Sequence, residues 1–508
     1  MRSRTQMIAF VVAGATACGG EESFEPQLAS TEQLIESAAV ATLAREDEGV
    51  EQVVVVGDLD GDGVEDAVVQ TLSMTESPDP DARYQVTAYI AYGGSALQGK
   101  LDFSSLPSLT KIHLGFGVIA PAGDVDGDGL ADLLVGRQRR LGCGDPQYPA
   151  PSADDEFSGA YLVYGSTTRL TGASPIGDVG VFLRDVGPCT QVNQLAGLGD
   201  LDGDGLADFA IGQTPWFVGD TADIYVFYGR SARFTAGSLG AADAVIRSAA
   251  GGSTLAVQRA GDVDGDGRSD FMIAVTGVAG PNPISMVRGS AQRLAGAVAP
   301  EAIAQVQAAV RFDVGPRLMS PLGDLDGDGY DDFAMHHGRG LHDGDPSSYG
   351  RDYRVFYGSA AGFPTQLDIG SEAAIIRGAG VSWSEIAGGD VDGDGARDLV
   401  VSDLDAHDLN GAVHVLRGTG SRLSGTVDLA GQGTSYIGRT QRLPNCDFAI
   451  SPDCTSYELV GHSLAVGDLT GDHRADFLVG APASAFYSAV RGVPGSAPGH
   501  TYLVAPGQ

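Results

Sequence analysis

Apolar residues along this chain come in short runs that are separated by glycines, aspartates and other turn-forming residues. Val53–Val56 and Leu133–Val135 are two such runs, and similar ones follow along the whole sequence. Short runs rich in β-branched residues are typical of strands, whereas amphipathic helices need longer segments with a period of about 3.6 residues. The pattern therefore predicts an all-β protein built from many short strands.

An aspartate-rich motif lies between the apolar runs and recurs seven times, first as GDLDGDGVED from Gly57. An apolar run follows each copy, and a second signature such as AYLVYG or YRVFYG comes later in every unit. Each unit thus offers about four strands, and seven such units match a β-propeller. We predict a seven-bladed β-propeller with four-stranded antiparallel blades over residues 31–508. The first aspartates of the seven copies are Asp58, Asp124, Asp200, Asp262, Asp324, Asp390 and Asp468.

The two ends of the chain predict how the ring closes. The sequence stops soon after the third strand of unit seven, so this unit lacks its outer strand. We expect residues 32–43 to supply it, which would close the ring with one N-terminal and three C-terminal strands. A helix is the competing interpretation, because Ser30 and Gln33 could form a capping box before an Ala/Leu-rich run.

Each aspartate-rich loop has the composition of a site for a hard cation. Aspartates occupy positions 1, 3, 5 and 9 and glycines occupy positions 4 and 6, as in the loop from Asp58 to Asp66. Two carboxylates about 4 Å apart repel by about 4 kcal/mol at an effective dielectric constant near 20. A cation removes this repulsion, and oxygen ligands select calcium or magnesium. Four carboxylates and the backbone carbonyl of position 7 suit the larger calcium ion, so we predict up to seven bound Ca²⁺.

The predicted ligands keep one register in all seven loops. The side-chain ligands are Asp58, Asp60, Asp62 and Asp66 in loop 1 (58–66), Asp124, Asp126, Asp128 and Asp132 in loop 2 (124–132), Asp200, Asp202, Asp204 and Asp208 in loop 3 (200–208), Asp262, Asp264, Asp266 and Asp270 in loop 4 (262–270), Asp324, Asp326, Asp328 and Asp332 in loop 5 (324–332), Asp390, Asp392, Asp394 and Asp398 in loop 6 (390–398), and Asp468, Thr470, Asp472 and Asp476 in loop 7 (468–476). The position-7 carbonyls belong to Val64, Leu130, Leu206, Arg268, Tyr330, Ala396 and Arg474.

Loop 7 departs from the pattern. Thr470 replaces the aspartate of position 3, and His473 replaces the glycine of position 6. With three carboxylates instead of four, this loop is expected to be the weakest site.

The loops are not EF-hands. An EF-hand needs a bidentate glutamate at position 12 and a helix on each side. Position 12 holds an apolar residue in a strand-like run in every copy: Val69, Val135, Ile211, Ile273, Met335, Val401 and Val479.

The charge of the chain excludes two classes of partner. The formal net charge is −35, and a strongly acidic surface repels nucleic acid and anionic membranes. We therefore expect no nucleic-acid partner, membrane contact only through a lipid anchor, and a monomeric protein.

The N-terminal sequence predicts an export signal. Residues 1–17 carry Arg2 and Arg4, then a short apolar run, then small residues at a cleavage position. Cys18 follows directly, as in the lipobox of bacterial lipoproteins, which predicts acylation of Cys18 and a tether over residues 18–30. The expected location is the outer membrane or cell surface, and the alternative is a secreted or periplasmic protein with Cys18 free.

The stretch GHSLAVGDLTGDHRADFLVGAP, from Gly461 to Pro482, resembles an FG-GAP repeat, the unit of the integrin α-chain N-terminal propeller. Phe116-Gly117 supplies the FG of unit two, and Gly480-Ala481-Pro482 supplies the GAP of unit seven. The resemblance implies a propeller whose calcium loops lie on the lower face, between the first two strands of each blade. The long connections 137–158 and 336–353 would then lie on the upper face, where a partner is expected to dock.

The resemblance also suggests how the four cysteines other than Cys18 pair in disulfides. Cys143 and Cys189 would both lie in upper-face connections, which makes a disulfide between them reasonable. Cys446 and Cys454 share one connection and are expected to pair locally.

Three functions remain open. The leading one is a non-enzymatic binding or adhesion module for a protein or glycan, and the alternative is a propeller-based polysaccharide lyase or hydrolase. In the third, the aspartates are purely structural and the whole propeller is a spacer. H-E-x-x-H, G-x-S-x-G and P-loop motifs are absent from the sequence. One cluster, His336, His337 and His342 with Asp343 and Asp345, has poor spacing for a transition metal, and a solvated loop is the favoured interpretation.

Overall fold

Strands dominate the computed structural model. It describes residues 32–45, 48–74, 84–113, 118–137, 158–185, 190–215, 222–247, 254–276, 282–303, 306–310, 319–339, 350–362, 372–378, 385–429, 433–442, 455–482 and 499–506. Seven small sheets form a ring, which confirms the predicted seven-bladed β-propeller.

The first strand of each blade lies at the centre of the ring. Each one contacts the first strand of the next blade, and the seventh contacts the first, so the circle is closed. These strands are Glu48–Gly57, Ile119–Gly123, Thr190–Gly199, Thr254–Gly261, Met319–Gly323, Ile386–Gly389 and Ser463–Gly467.

Three further strands pair antiparallel in sequence from the centre outward. The second strands are Asp66–Met74, Asp132–Arg137, Asp208–Pro215, Asp270–Thr276, Asp332–Arg339, Asp398–Asp403 and Asp476–Ala481. The third strands are Tyr84–Ala91, Gly159–Val163, Asp223–Phe227, Asn282–Val287, Gly350–Phe356, Ala412–Leu416 and Gly499–Val504. The fourth strands are Ser108–His113, Gly180–Arg184, Ala244–Arg247, Val306–Val310, Ala374–Arg377, Thr434–Ile437 and Ala41–Arg45.

In the described residues, six blades also carry a fifth, outer strand, which the four-strand prediction missed. It runs parallel to the fourth strand and is donated by the following blade. It comes from the connection between that blade's third and fourth strands or, for blade 6, from the N-terminal segment before the fourth strand of blade 7. Along blades 1, 2, 3, 5, 6 and 7 these strands are Ala173–Pro175, Gly237–Ser238, Gly296–Val298, Gly425–Asp428, Glu32–Leu34 and Gly99–Asp102.

Ring closure combines both interpretations of the N-terminal segment. Ala41–Arg45 pairs antiparallel with Gly499–Val504 as the fourth strand of blade 7, so closure by one N-terminal and three C-terminal strands is confirmed. Glu32–Leu34 pairs with the outer edge of blade 6, and a single turn of helix, Ile35–Ala38, lies between the two strands. Leu34 is the N-cap and gives no side-chain hydrogen bond, so the predicted capping box does not start this helix.

The remaining regular elements are short. Comparable turns of helix precede other fourth strands at Phe103–Ser105, Ile176–Val179, Leu239–Ala241 and Pro300–Ile303. Ala406–Leu409 is a helical turn in blade 6, and Thr440–Arg442 pairs with Thr455–Tyr457 in a separate two-stranded sheet. None of the helices in the described ranges has the length and apolar character needed to cross a bilayer.

The core lies between the blades. Leu198, Ile224 and Ile246 of blade 3 pack against Phe271 and Ile273 of blade 4 in one buried cluster. Because each blade is covered on both faces, its second strand is buried along its length, as Asp398–Asp403 is. Two covered faces remove the need for polar alternation, which explains the unbroken apolar runs in the sequence.

Candidate metal centres

The seven aspartate-rich loops all connect the first and second strands of a blade. Each begins after the terminal glycine of the first strand and ends at the first residue of the second, as from Gly57 to Asp66. Antiparallel topology places these loops at one face of the ring, together with the connections between third and fourth strands. The other connections end at the opposite face.

The aspartate of position 1 organises its loop by accepting backbone hydrogen bonds. In loop 1, Asp58 Oδ1 accepts from Gly61 N–H (2.6 Å) and Asp62 N–H (3.2 Å), and Asp58 Oδ2 accepts from Gly63 N–H (2.8 Å). Asp62 Oδ1 in turn accepts from Val64 N–H at 2.9 Å. The same bonds recur in loops 2 and 3, so the local sequence alone folds the loop around its carboxylates.

The glycines of positions 4 and 6 have the backbone conformation that the curl requires. Gly61 has φ +79° and Gly63 has φ +86°, the left-handed region that favours glycine. His473 adopts φ +66° at the position of Gly63, so loop 7 keeps the curl with a strained residue.

The aspartate of position 9 is buried and links the loop to the rest of its blade. Asp66 is fully buried; its Oδ2 accepts from Leu59 N–H (2.7 Å), and its Oδ1 accepts from Gly93 N–H (2.7 Å) beyond the third strand. A Cβ atom at Gly93 would clash with the Glu65 carbonyl oxygen, which explains the glycine of the second sequence signature.

Burial disfavours the charged form of the position-9 carboxylate. Desolvation raises the pKa of Asp66 to about 7, the two backbone N–H groups lower it, and the neighbouring Asp60 and Asp58 raise it further. Desolvation likewise raises the pKa of Asp132, Asp208, Asp270 and Asp332 to about 7.

The loops bring their carboxylates within reach of a single ion. In loop 1, oxygen atoms of Asp58, Asp60 and Asp62 lie within 4.8 Å of one another, and loops 2 to 5 hold comparable groups of three that include the position-9 aspartate. A set made only of oxygen donors, with a buried carboxylate of raised pKa, fits a hard divalent cation.

Each loop docks on the following blade. Ala131 N–H donates to the Asp58 carbonyl oxygen (2.8 Å), and Ser166 N–H donates to the Leu59 carbonyl oxygen (2.8 Å). The first of these bonds recurs from Ala207 to Asp124, Ser269 to Asp200, Asp331 to Asp262, Ala475 to Asp390 and Glu65 to Asp468. The loops therefore lie in the blade junctions.

The segment around loop 7 matches a known repeat family. Residues 460–495 match the family described as FG-GAP repeat, a segment that contains loop 7. Together with the seven-bladed ring, this match confirms the resemblance of Gly461–Pro482. The chain is a seven-bladed β-propeller that contains an FG-GAP repeat.

The solved structures that resemble this propeller have low sequence identity to it. AofleA from Arthrobotrys oligospora covers 80% of this chain and 98% of its own at 10% identity and a TM-score of 0.35, and an arginine-to-alanine mutant of it has 11% identity, the same coverage and a TM-score of 0.36. A humanized mutant of the Chaetomium thermophilum Polycomb Repressive Complex 2 covers 74% of this chain and 71% of its own at 10% identity, with a TM-score of 0.32. Scores this low say nothing about function.

Loop 7 also lacks the backbone N–H donor that Gly93 provides in blade 1. Pro506 stands where Gly93 stands in blade 1, because Val504 pairs with Phe477 as Ala91 pairs with Ala67. Proline has no N–H to donate, and Asp476 Oδ2 instead accepts from Thr470 N–H at 2.8 Å as well as from Leu469 N–H.

Other predicted site residues lie outside the described part of the chain. These are Cys18, Cys143, Cys189, Cys446 and Cys454, together with His342, Asp343 and Asp345 of the histidine cluster. His336 is described: its Nε2 lies 3.4 Å from Ser320 Oγ, and its ring meets the Tyr353 ring edge-on.

The sequence reasoning missed the residues that neighbouring blades bring to each loop. Arg169 of blade 2 binds both Asp60 and Asp62 of loop 1, although more than a hundred positions separate them in the chain. The signal was present as the turn sequences STTRL and SAQRL, whose arginine lies four positions after the glycine of the second signature.

Proposed function

We propose that this protein is an exported, calcium-stabilised β-propeller that binds a protein or glycan partner through the face opposite its aspartate-rich loops. The observation that carries the proposal is the position of those loops. Their carboxylates bind backbone N–H groups of their own blade and their carbonyls accept from the next blade, so the loops serve as junctions of the ring. A partner would therefore bind elsewhere.

Calcium is the ion that the ligand set favours. The aspartates of positions 1, 3, 5 and 9, such as Asp58, Asp60, Asp62 and Asp66, would hold it with the carbonyl of Val64. Bound calcium would neutralise the buried carboxylates and tie the loop to its junction. Extracellular calcium modules commonly bind at about 10⁻⁴ to 10⁻³ M, which suits an exported protein.

The upper face offers the variation that recognition needs. First-to-second-strand connections have one length in every blade, whereas second-to-third-strand connections range from a short one between Thr276 and Asn282 to a long one between Arg137 and Gly159. Variable connections on a rigid scaffold are where binding residues concentrate. We assign adhesion or ligand capture to this face, with no catalytic role.

Export and anchoring complete the proposal. FG-GAP repeat proteins are typically extracellular. Residues 1–17 would direct export and Cys18 would carry the lipid, giving an outer-membrane or surface lipoprotein, with a secreted or periplasmic protein as the alternative.

Native mass spectrometry of the full mature chain tests the metal part. We expect up to seven Ca²⁺ per chain, removed by chelation with a large fall in Tm. Failure to retain any divalent ion at millimolar calcium would contradict the proposal.

Binding to intact cells and to glycan arrays tests the partner part. The variants replace residues 138–157 and 340–349 by short Gly-Ser turns, and Lys100→Ala, on an exposed outer-edge side chain, is the control. We expect the wild type and the control to bind alike and the loop variants to lose binding. Full binding by loop variants that retain the wild-type Tm would exclude these connections as the partner site.

A further inference from the structure

In four junctions an arginine of the next blade bridges two aspartates of one loop. Arg233 of blade 3 donates from Nε to Asp126 Oδ2 (2.5 Å) and from a terminal nitrogen to Asp128 Oδ2 (2.7 Å) of loop 2. The same fork joins Arg169 to Asp60 and Asp62, Arg293 to Asp202 and Asp204, and Arg422 to Asp326 and Asp328.

A tyrosine holds each of these arginines in place. The Arg233 guanidinium lies 4.5 Å from the centre of the Tyr164 ring, and Phe234 N–H donates to Tyr164 Oη at 2.7 Å. Arg169, Arg293 and Arg422 lie at 4.9 to 5.0 Å from Tyr92, Tyr228 and Tyr357 in the same way. A planar guanidinium that stacks on a ring and binds two carboxylates is a specific arrangement, which lysine cannot reproduce.

In two loops the position-3 aspartate binds an arginine of its own blade instead. Blade 5 has Gly362 in place of the turn arginine, and Arg288, in the strand-end position that tyrosine holds elsewhere, binds Asp264 at 3.1 Å. In blade 6, Arg417, again in the tyrosine position, binds Asp392.

The seventh junction lacks both partners. Loop 7 has Thr470 in place of the position-3 aspartate, and the turn of blade 1 that docks on it has Leu97 in place of the arginine. The strand-end position holds Ala505. In the described residues, a position-3 aspartate and an arginine bound to it are therefore present together at six loops, four times across a junction and twice within a blade, and absent together at loop 7.

We propose that the four arginines of the next blade, Arg169, Arg233, Arg293 and Arg422, are positioning residues that clamp an ion loop to the following blade, so that ion binding in one blade strengthens the docking of the next. The arginine takes the Oδ2 atoms of Asp126 and Asp128, while their Oδ1 atoms accept loop N–H groups, which fixes both carboxylate planes. The coupling to an ion rests on the proposed calcium binding; the clamp itself does not.

The clamp also changes the comparison between loops. Four carboxylates with one arginine leave loop 2 with a charge of about −3, and three carboxylates with Arg474 at position 7 leave loop 7 with a charge of about −2. Loop 4 has a second arginine, since Arg268 also binds Asp266 (2.9 Å). Four carboxylates with Arg288 and Arg268 leave loop 4 with a charge of about −2, the same as loop 7, so charge alone does not make loop 7 the weakest site.

Hydrogen exchange of the full chain tests the clamp with Arg233→Met. Arg230→Met is the matched control, because Arg230 is exposed, lies on the same turn and stacks on Phe234 without contacting Asp126 or Asp128. In metal-stripped protein, we expect the amides of residues 229–236 and of loop 2 to exchange roughly three- to tenfold faster in Arg233→Met only. Equal exchange in the two variants would overturn the clamp.

A calcium titration of the same variants tests the coupling. In the wild type, we expect calcium to protect loop 2 and also residues 229–236 of the next blade. In Arg233→Met, protection should stay within loop 2, and Arg233→Lys should restore only part of the spread. If calcium still protected residues 229–236 in Arg233→Met, the coupling would be overturned. If the wild type took up no ion, the proposed function would be contradicted, and the comparison in metal-stripped protein would still decide whether the clamp exists.

Discussion

The side chain of Leu130 packs over the α-carbon of Gly61 across the junction of blades 1 and 2. A Cβ atom on Gly61 would lie 2.9 Å from Leu130 Cδ2. Leu206 covers Gly127, Tyr330 covers Gly265 and Val64 covers Gly471 in the same way. The side chain of position 7 therefore caps the preceding loop, while its carbonyl is the proposed ligand.

Ala396 is too small to cap Gly327, and a cavity of about 320 Å³ lies between loops 5 and 6. Ala396→Leu should fill part of it and raise the Tm, because added apolar contact stabilises by about 25 cal/mol per Å² buried. The reciprocal Leu130→Ala should lower the Tm at a cost of about 1–2 kcal/mol. Thermal unfolding in the presence of calcium measures both effects. A fall in Tm for Ala396→Leu would contradict the stabilising role assigned to the position-7 side chain.

Metal-free protein should lose stability as the pH rises. The pKa of Asp208 is raised to about 7, first by desolvation, so between about pH 4 and 7 the folded chain binds more protons than the unfolded chain. Stability therefore falls with rising pH through this window, and Asp66, Asp132, Asp270 and Asp332 add to the effect.

Calcium binds the charged carboxylates, so the Tm gain from calcium should be larger at pH 8 than at pH 5. The measurement compares metal-stripped and calcium-loaded protein at constant ionic strength. An equal gain at both pH values would contradict the assignment of these aspartates as ligands.

His473→Gly should stabilise loop 7. His473 holds φ +66°, and glycine adopts this conformation without the steric cost, so we expect a gain of about 1 kcal/mol. Thermal unfolding of metal-stripped protein separates this gain from any change in ion binding. Gly395→His is the mirror control in loop 6 and should destabilise by a similar amount, since Gly395 has φ +89°.

Glu51→Gln should stabilise the protein at pH 8 and not at pH 5. Burial raises the pKa of Glu51 to about 7, and its Oε1 has no hydrogen-bond partner among the described residues. The charged form is thus penalised in the folded state above about pH 7, and removing the charge should contribute about 1–2 kcal/mol there. Glu301→Gln, on an exposed side chain, is the control and should show no pH-dependent gain.

The sequence was sufficient wherever the interacting residues lie close together in the chain. The number of blades, the register of the seven loops and the need for glycine at positions such as Gly63 follow from spacings of a few residues, and the structure agrees with them. Residues 32–43 were harder to interpret, because Glu32–Leu34, Ile35–Ala38 and Ala41–Arg45 owe their conformations to blades 6 and 7.

By itself the sequence determined the repeat and the local curl of each loop, because Asp58 and its backbone donors lie within five residues of one another. Only the tertiary structure decided that the loops are junctions, since closing the ring is what brings Arg233 to Asp126 and Leu130 to Gly61. Contacts between blades depend on the rotation from one repeat to the next, and no spacing within a single repeat encodes that rotation.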